Sequence, residues 1–206
     1  MKNKNRWLLC SILFGLFIIL TVLATFNKTG SFDMWFYHNF VTLNDVCTPF
    51  MKFITAFANT KTLVIVCVLS LVTLFAKKYW SIFLVDMMIT STLITQVLKF
   101  LIARSRPGIG FHLVYAVGFS YPSGHTVAAV TFYGSLMWLI GKSTLNKLYK
   151  WIINSILCSL VLSIGYSRIY LGVHYFTDVL GGILLGLCLL LIGTYFYEKY
   201  GKVFFK

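Results

Sequence analysis

Apolar runs long enough to cross a bilayer alternate with short polar segments along most of the 206-residue chain. A hydrocarbon core about 30 Å thick needs about 20 apolar residues per helix. Six such runs predict six transmembrane helices, because a membrane-spanning β-strand would alternate polar and apolar residues instead. The predicted spans cover 7–26, a second run that begins between 53 and 62 and ends at Ala76, 81–101, 125–141, 151–166 and 175–197. We therefore predict an all-α integral membrane bundle that forms a single domain over residues 1–206.

Two connectors carry patterns of their own. The first, 27–49, is polar and aromatic, and it predicts a short helix lying in the membrane interface. Its apolar face would hold Phe32, Trp35, Phe36, Phe40 and Val41. The second connector, 104–125, contains every proline except Pro49. Within it the segment 115–121 is either a substrate gate or a plain connector, and the sequence leaves both readings open.

Composition and charge agree with a membrane location. The chain is 59% hydrophobic and 11% charged, with a mean hydropathy of +0.84, which excludes an ordinary soluble domain. A net charge of +13 could suggest a nucleic-acid partner, but the basic residues form short clusters between apolar runs, as membrane topology requires. Nucleic acid is therefore not an expected partner.

The distribution of the 18 lysines and arginines predicts the orientation. Eleven lie on the side of the termini: Lys2, Lys4, Arg6, Lys77, Lys78, Lys142, Lys147, Lys150, Lys199, Lys202 and Lys206. By the positive-inside rule, both termini are cytoplasmic. We expect a multi-pass plasma membrane protein whose segments before His125 and His174 face the extracellular or periplasmic side.

Several ionisable or small polar residues converge on that outer face, although they are far apart in sequence. The predicted topology places there Lys99, Arg106, Ser123, Gly124, His125, Arg168, His174 and Asp178. Ionisable side chains are costly in lipid, so such a group predicts a functional site.

The residue types in this group describe an anion site with two histidines. Arginine donors match phosphate oxygens, and the amides of Ser123 and Gly124 at a helix N-terminus would add further donors. Two histidines can supply a nucleophile and a proton donor. Asp178, four residues after His174, can lie on the same helical face and hold one imidazole nitrogen. Asp178 is the only acid of the group, so we expect no Mg²⁺ site, no other metal and no cofactor.

Three motifs in this region resemble the phosphatase signature of the type 2 phosphatidic acid phosphatase superfamily, in its membrane lipid phosphate phosphatase branch. They are Lys99-(six residues)-Arg106-Pro107, then Pro122-Ser123-Gly124-His125, then Ser167-Arg168-(five residues)-His174-(three residues)-Asp178. All three match in order and spacing, and together they lie within 99–178.

The resemblance implies a role for each matching residue. His174 would attack phosphorus and form a phosphohistidine, with Asp178 orienting its ring. His125 would protonate the leaving oxygen and then activate water. The remaining residues would bind the phosphoryl oxygens: Lys99, Arg106, Ser123, Gly124 and Arg168.

The implied activity is metal-independent hydrolysis of a lipid phosphate or pyrophosphate at the outer face. Phosphatidylglycerophosphate and undecaprenyl pyrophosphate are the expected substrates, by analogy with the family alone. Two alternatives remain open: a phosphotransferase that passes phosphate to another acceptor, and a non-catalytic protein that binds or transports lipid phosphates. The expected partner is the lipid substrate, and the sequence indicates no obligate protein partner.

Overall fold

A computed structural model describes residues 3–73 and 78–204, and within these ranges all the regular structure is helical. The helices are α1 (Asn3–Thr25), α2 (Gly30–Phe40), α3 (Cys47–Ala56), α4 (Thr60–Thr73), α5 (Lys78–Ile102), α6 (Gly124–Lys142), α7 (Lys147–Tyr170) and α8 (Phe176–Phe204). One 3₁₀ turn, Ile109–Phe111, interrupts the connector between α5 and α6. The predicted all-α fold is confirmed.

Within 3–73 and 78–204, four helices are long and apolar enough to cross a membrane, namely α1, α5, α7 and α8. A fifth span results if α3 and α4, which meet at a 45° bend, count as one. Helix α6 is not in this group, and its composition explains why: it carries Thr126, Thr131 and Ser135, which are buried among other helices. Six spans therefore remain a prediction, and the predicted end of the second span at Ala76 lies outside the described residues.

Helix α6 is the centre of the bundle, since it packs against α5, α7 and α8. Its contact with α8 is close because Gly182 has no side chain. A Cβ atom at Gly182 would lie 2.9 Å from Cβ of Thr126 and 3.0 Å from the carbonyl oxygen of Ser123. This approach brings the start of α6 beside the first turns of α8.

A short helix is present in the first connector, as predicted, and it is α2; its place in the membrane interface stays a prediction. Phe32, Trp35 and Phe40 are exposed on it. Phe36 instead stacks on Phe176 at the start of α8, with ring centroids 4.1 Å apart. Helix α2 is thereby held against the first turn of α8.

A tight turn joins α7 to α8 and carries His174. Gly172 in this turn has φ = +70°, a conformation that favours glycine. A side chain there would also overlap the carbonyl oxygen of Phe111. Nearby, the amide of Leu113 donates to the carbonyl of Leu171 at 3.0 Å. The connector between α5 and α6 is therefore hydrogen-bonded to this turn.

Candidate active site

Six of the eight predicted site residues line one cavity of about 450 Å³. They come from three helices and two connectors: Lys99, Arg106, Gly124, His125, Arg168 and His174. The other two, Ser123 and Asp178, are fully buried behind this wall. The sequence-based grouping of these residues thus corresponds to one place in the fold.

His174 and Asp178 contact each other at the entrance to α8. Nδ1 of His174 lies 3.3 Å from Oδ2 of Asp178, which also accepts the amide proton of Tyr175 at 2.9 Å. The expected contact is present, but its geometry differs from the prediction. His174 precedes α8, which starts at Phe176, so the two side chains meet across a helix N-terminus rather than along one helical face.

The second imidazole nitrogen of His174 faces a cation. Nη1 of Arg106 lies 3.3 Å from Nε2 of His174. Burial lowers the pKa of His174 well below its usual value, and the charges of Arg168, Lys99 and Arg106 lower it further. The imidazole is therefore neutral, and the tautomer with its proton on Nδ1 fits both neighbours, since Nδ1 faces the carboxylate and Nε2 faces Arg106.

Lys99 and Arg106 are bound to the backbone of the segment 117–120. The ammonium group of Lys99 donates to the carbonyls of Phe119 and Ser120, at 2.5 and 3.1 Å. Arg106 donates from Nε to the carbonyl of Gly118 at 3.0 Å and from Nη2 to that of Val117 at 2.9 Å. This segment lies within 115–121, which the sequence left open as a substrate gate or a plain connector, and its carbonyl groups bind two of the cations.

Arg168 reaches the cavity from the last turn of α7. Its Nη1 donates to the hydroxyl of Thr55 at 2.8 Å. Its Nε–H is buried and has no hydrogen-bond partner within the described chain. A buried donor without an acceptor is rare in folded proteins, and an anion in the cavity would satisfy it.

The start of α6 supplies Gly124 and His125 to the cavity wall, but Ser123 faces away from it. The amide of Ser123 donates to the carbonyl of Asp178 at 3.0 Å, and its hydroxyl accepts from Thr126 at 3.0 Å. The expectation that the Ser123 amide binds phosphate is therefore not supported by this arrangement. Its hydrogen bonds instead fix the start of α6 against α8.

Sequence reasoning missed a buried ion-pair network behind His174. Arg104 donates from Nη1 to Oδ1 of Asp178 at 2.6 Å and from Nη2 to Oδ2 of Asp33 at 2.7 Å. Its guanidinium carbon also lies 4.3 Å from the ring centroid of Tyr175. Burial lowers the pKa of Arg104, but the charge of Asp178 and the bond to Asp33 outweigh this effect, so its pKa is raised. Asp33 was one signal for the network, since it is one of only five acids in the chain and lies in an otherwise aromatic helix.

Across residues 3–73 and 78–204, no three His, Cys, Asp or Glu side chains lie close enough to share a metal ion.

A family model described as the PAP2 superfamily matches residues 78–202. The chain is 38% identical over 130 residues to phosphatidylglycerophosphatase B of Bacillus subtilis, an alignment that covers 61% of this chain and 62% of that protein. The matched part is thus less than two thirds of that relative's length. The chain is also 27% identical over 195 residues to undecaprenyl-diphosphatase of Sulfolobus acidocaldarius, covering 90% of this chain and 88% of that protein.

Among solved structures, a transmembrane PAP2-type phosphatidylglycerolphosphate phosphatase from Bacillus subtilis superimposes with a TM-score of 0.85 and 31% identity. The superposition covers 92% of this chain and 96% of that one.

Proposed function

The chain belongs to the PAP2 superfamily, and we propose that it is a membrane phosphatase that hydrolyses lipid phosphate or pyrophosphate monoesters without a metal ion. One observation carries this proposal. The neutral His174 is held between Asp178 and Arg106, and its ring borders a cavity lined by three cations and a second histidine. A nucleophile, a proton carrier and an anion site are thus present together.

The first step transfers the phosphoryl group to the protein. The lone pair on Nε2 of His174 attacks phosphorus, a P–N bond forms, and the P–O bond to the lipid breaks. His125 gives its proton to the leaving oxygen. The positive charge that develops on the imidazole is stabilised by Asp178, which accepts the bond from Nδ1–H.

The second step releases phosphate. Water attacks phosphorus while His125, now neutral, takes a proton from that water. The P–N bond breaks and its electron pair returns to Nε2 of His174. Inorganic phosphate leaves, and His125 holds the proton needed for the next turnover.

Three cations and one helix end stabilise the phosphoryl oxygens during both steps. Arg106, Arg168 and Lys99 face the cavity, and Arg168 has an Nε–H that no group of the described residues accepts. Gly124 adds the N-terminus of α6, where backbone amides and the helix dipole favour an anion. Fixed donors of this kind act on the charge that develops in the transition state.

The six predicted spans are completed by α6 and by the bent α3–α4 pair. In this arrangement both termini are cytoplasmic and the catalytic cavity opens at the extracellular or periplasmic face. The chain then forms one membrane-embedded domain over residues 1–206, with its catalytic motifs within 99–178. A lipid can present its headgroup to the cavity while its tail stays in the bilayer.

The names of the relatives support phosphatidylglycerophosphate or undecaprenyl pyrophosphate as the substrate. Two other functions use the same site. A phosphotransferase would pass the phosphoryl group from His174 to an alcohol instead of water, and a lipid-phosphate binding or transport protein would need the cations but neither histidine.

The test is phosphate release by the purified protein in detergent and EDTA, from a panel of phospholipid phosphates, prenyl pyrophosphates and phosphorylated glycolipids. We expect release from at least one lipid, abolished by His174→Ala and unaffected by His38→Ala, a matched change at an exposed histidine. Binding without release would favour the transport function. Transfer of labelled phosphate to an added alcohol in place of release would favour the phosphotransferase.

A further inference from the structure

We propose that Arg104 and Asp33 are positioning residues for the pair His174–Asp178, so that helix α2 sets the orientation of the nucleophile. This inference rests on the proposed function, because it takes His174 as the nucleophile. Neither Arg104 nor Asp33 is among the residues that line the catalytic cavity. They act on the reaction through Asp178.

Arg104 is shared between two carboxylates, one on α2 and one on α8. The side chain of Arg104 is 6% exposed, and those of Asp33 and Asp178 are 0% exposed. A carboxylate buried to this degree is stable only when it is paired and hydrogen-bonded. The guanidinium therefore pairs with both carboxyl groups in the same buried space.

The bond from Arg104 decides how Asp178 meets His174. Oδ1 of Asp178 binds Arg104, which leaves Oδ2 to accept from the amide of Tyr175 and from Nδ1 of His174. Without the guanidinium, the carboxyl group is free to rotate or to take up a proton. A protonated or rotated carboxyl no longer accepts from Nδ1–H, and the tautomer with a free Nε2 loses its support.

Asp33 fixes the position of Arg104 and of α8 together. Its Oδ1 accepts the amide proton of Thr177 at 2.9 Å, and its Oδ2 accepts from the Thr177 hydroxyl at 2.8 Å as well as from Arg104. Thr29, just before α2, accepts a further bond from Nη2 of Arg104 at 2.8 Å. A single carboxylate on α2 thus ties the guanidinium to the turn of α8 that carries Asp178.

The experiment compares Arg104→Gln, Arg104→Lys and Asp33→Asn with Arg6→Gln. Arg6 is the matched control, since it is also buried and pairs with Glu198 at 2.7 Å, but on helices that meet at the other end of the bundle. We expect Arg104→Gln and Asp33→Asn to lower kcat roughly 10- to 100-fold, as loss of a partner behind a catalytic group does. The KM should stay within about threefold, since neither side chain touches substrate. Arg104→Lys should have a higher kcat than Arg104→Gln, because lysine keeps the charge, although it lacks the planar guanidinium that binds both carboxylates. Arg6→Gln should keep the wild-type kcat.

A second readout follows the imidazole directly. The chain has four histidines, so ¹⁵N-histidine spectra are simple, and His174→Ala assigns the signal. Wild-type protein should show the signature of Nδ1–H with a bare Nε2, and Arg104→Gln a mixture of tautomers. A structural role alone would leave the signature unchanged.

Wild-type kcat in folded Arg104→Gln, or unchanged imidazole signals, would overturn the proposal. If Arg104→Gln does not fold, Asp33→Asn tests the proposal instead, because asparagine keeps the shape of the side chain. A wild-type kcat in Asp33→Asn would also overturn the proposal. If wild-type protein releases no phosphate from any lipid, the proposed function fails instead, and the imidazole signals still decide whether Arg104 positions His174.

Discussion

Nη1 of Arg106 lies 3.3 Å from Nε2 of His174, on the ring nitrogen that Asp178 does not contact. A guanidinium can only donate hydrogen bonds, so this contact requires a lone pair on Nε2. The carboxylate at Nδ1 requires a proton there. Both neighbours, one cationic and one anionic, therefore favour the tautomer with the proton on Nδ1. This is the tautomer in which Nε2 can attack phosphorus.

Arg106→Lys should lower kcat by roughly 100- to 1000-fold, the usual loss when one transition-state donor is removed. Lysine keeps the charge, but it cannot contact His174, phosphate and the carbonyls of Val117 and Gly118 from one rigid plane. Steady-state kinetics on a lipid phosphate would measure the effect. Lys52→Arg, an exposed charge-conserving change on α3, is the control. More than about half of wild-type activity in Arg106→Lys would contradict the assignment.

Stability should fall as the pH drops below about 6.5, the pKa of an unperturbed histidine. The pKa of His174 is lowered in the folded protein, so the unfolded chain binds this proton first. The contribution of neutral His174 is thus complete above that pH and is lost towards the lower folded-state pKa. Melting temperatures at about pH 5 and about pH 7.5 would measure it.

In that experiment His174→Gln should lose less stability on acidification than wild type does. His38→Gln should follow the wild type, because His38 is exposed. An equal pH dependence in His174→Gln and wild type would contradict the prediction.

Gly172→Ala should destabilise the protein, with about 1–3 kcal/mol from the positive φ alone. The added Cβ would also push the connector at Phe111 away from the turn that carries His174. We therefore expect loss of activity together with a lower melting temperature. Gly110→Ala is the matched control in the same connector, because a Cβ there has no neighbour within 4 Å. Equal melting temperatures for the two variants would contradict the prediction.

Orthovanadate should inhibit, because its five-coordinate form resembles the phosphoryl transition state. Arg168→Met should weaken that inhibition by about tenfold or more, because it removes a charged group whose Nε–H has no acceptor among the residues that the structure describes. Inhibition curves for wild type and variant would measure this, with Arg6→Met as the control. No inhibition at about 1 mM vanadate would argue against an anion site of this kind.

The sequence was sufficient to predict six of the residues that line the cavity, because each lies at or near a helix end and the predicted topology placed these ends on one face. Lys99 is in the last turn of α5, Gly124 begins α6, and Arg168 is in the last turn of α7. The end of an apolar run in the sequence predicts the end of a helix. The types of residue at those ends then predict the kind of site that they form.

The Arg104–Asp33 pair could not be predicted in the same way. The two residues are 71 positions apart and belong to different connectors, whose path no hydropathy pattern describes. Ser123 was assigned to phosphate for a related reason. Its position at a helix N-terminus was evident, but the carbonyl of Asp178 that accepts its amide proton is supplied by tertiary packing.

Helix α6 shows the limit of hydropathy itself. Two of its polar residues, Thr131 and Ser135, are completely buried against neighbouring helices. A hydropathy average treats such residues as if they faced lipid. The central helix of a bundle is therefore the one whose span is hardest to recognise.

The backbone carbonyls of 117–120 compete with an anionic ligand for the cations of the site. Lys99 and Arg106 already hold these oxygens, so an arriving phosphate exchanges one acceptor for another instead of meeting bare charges. Only a ligand with more negative charge than a carbonyl gains from the exchange. We therefore expect the site to select ligands by the negative charge that they bring to these two cations.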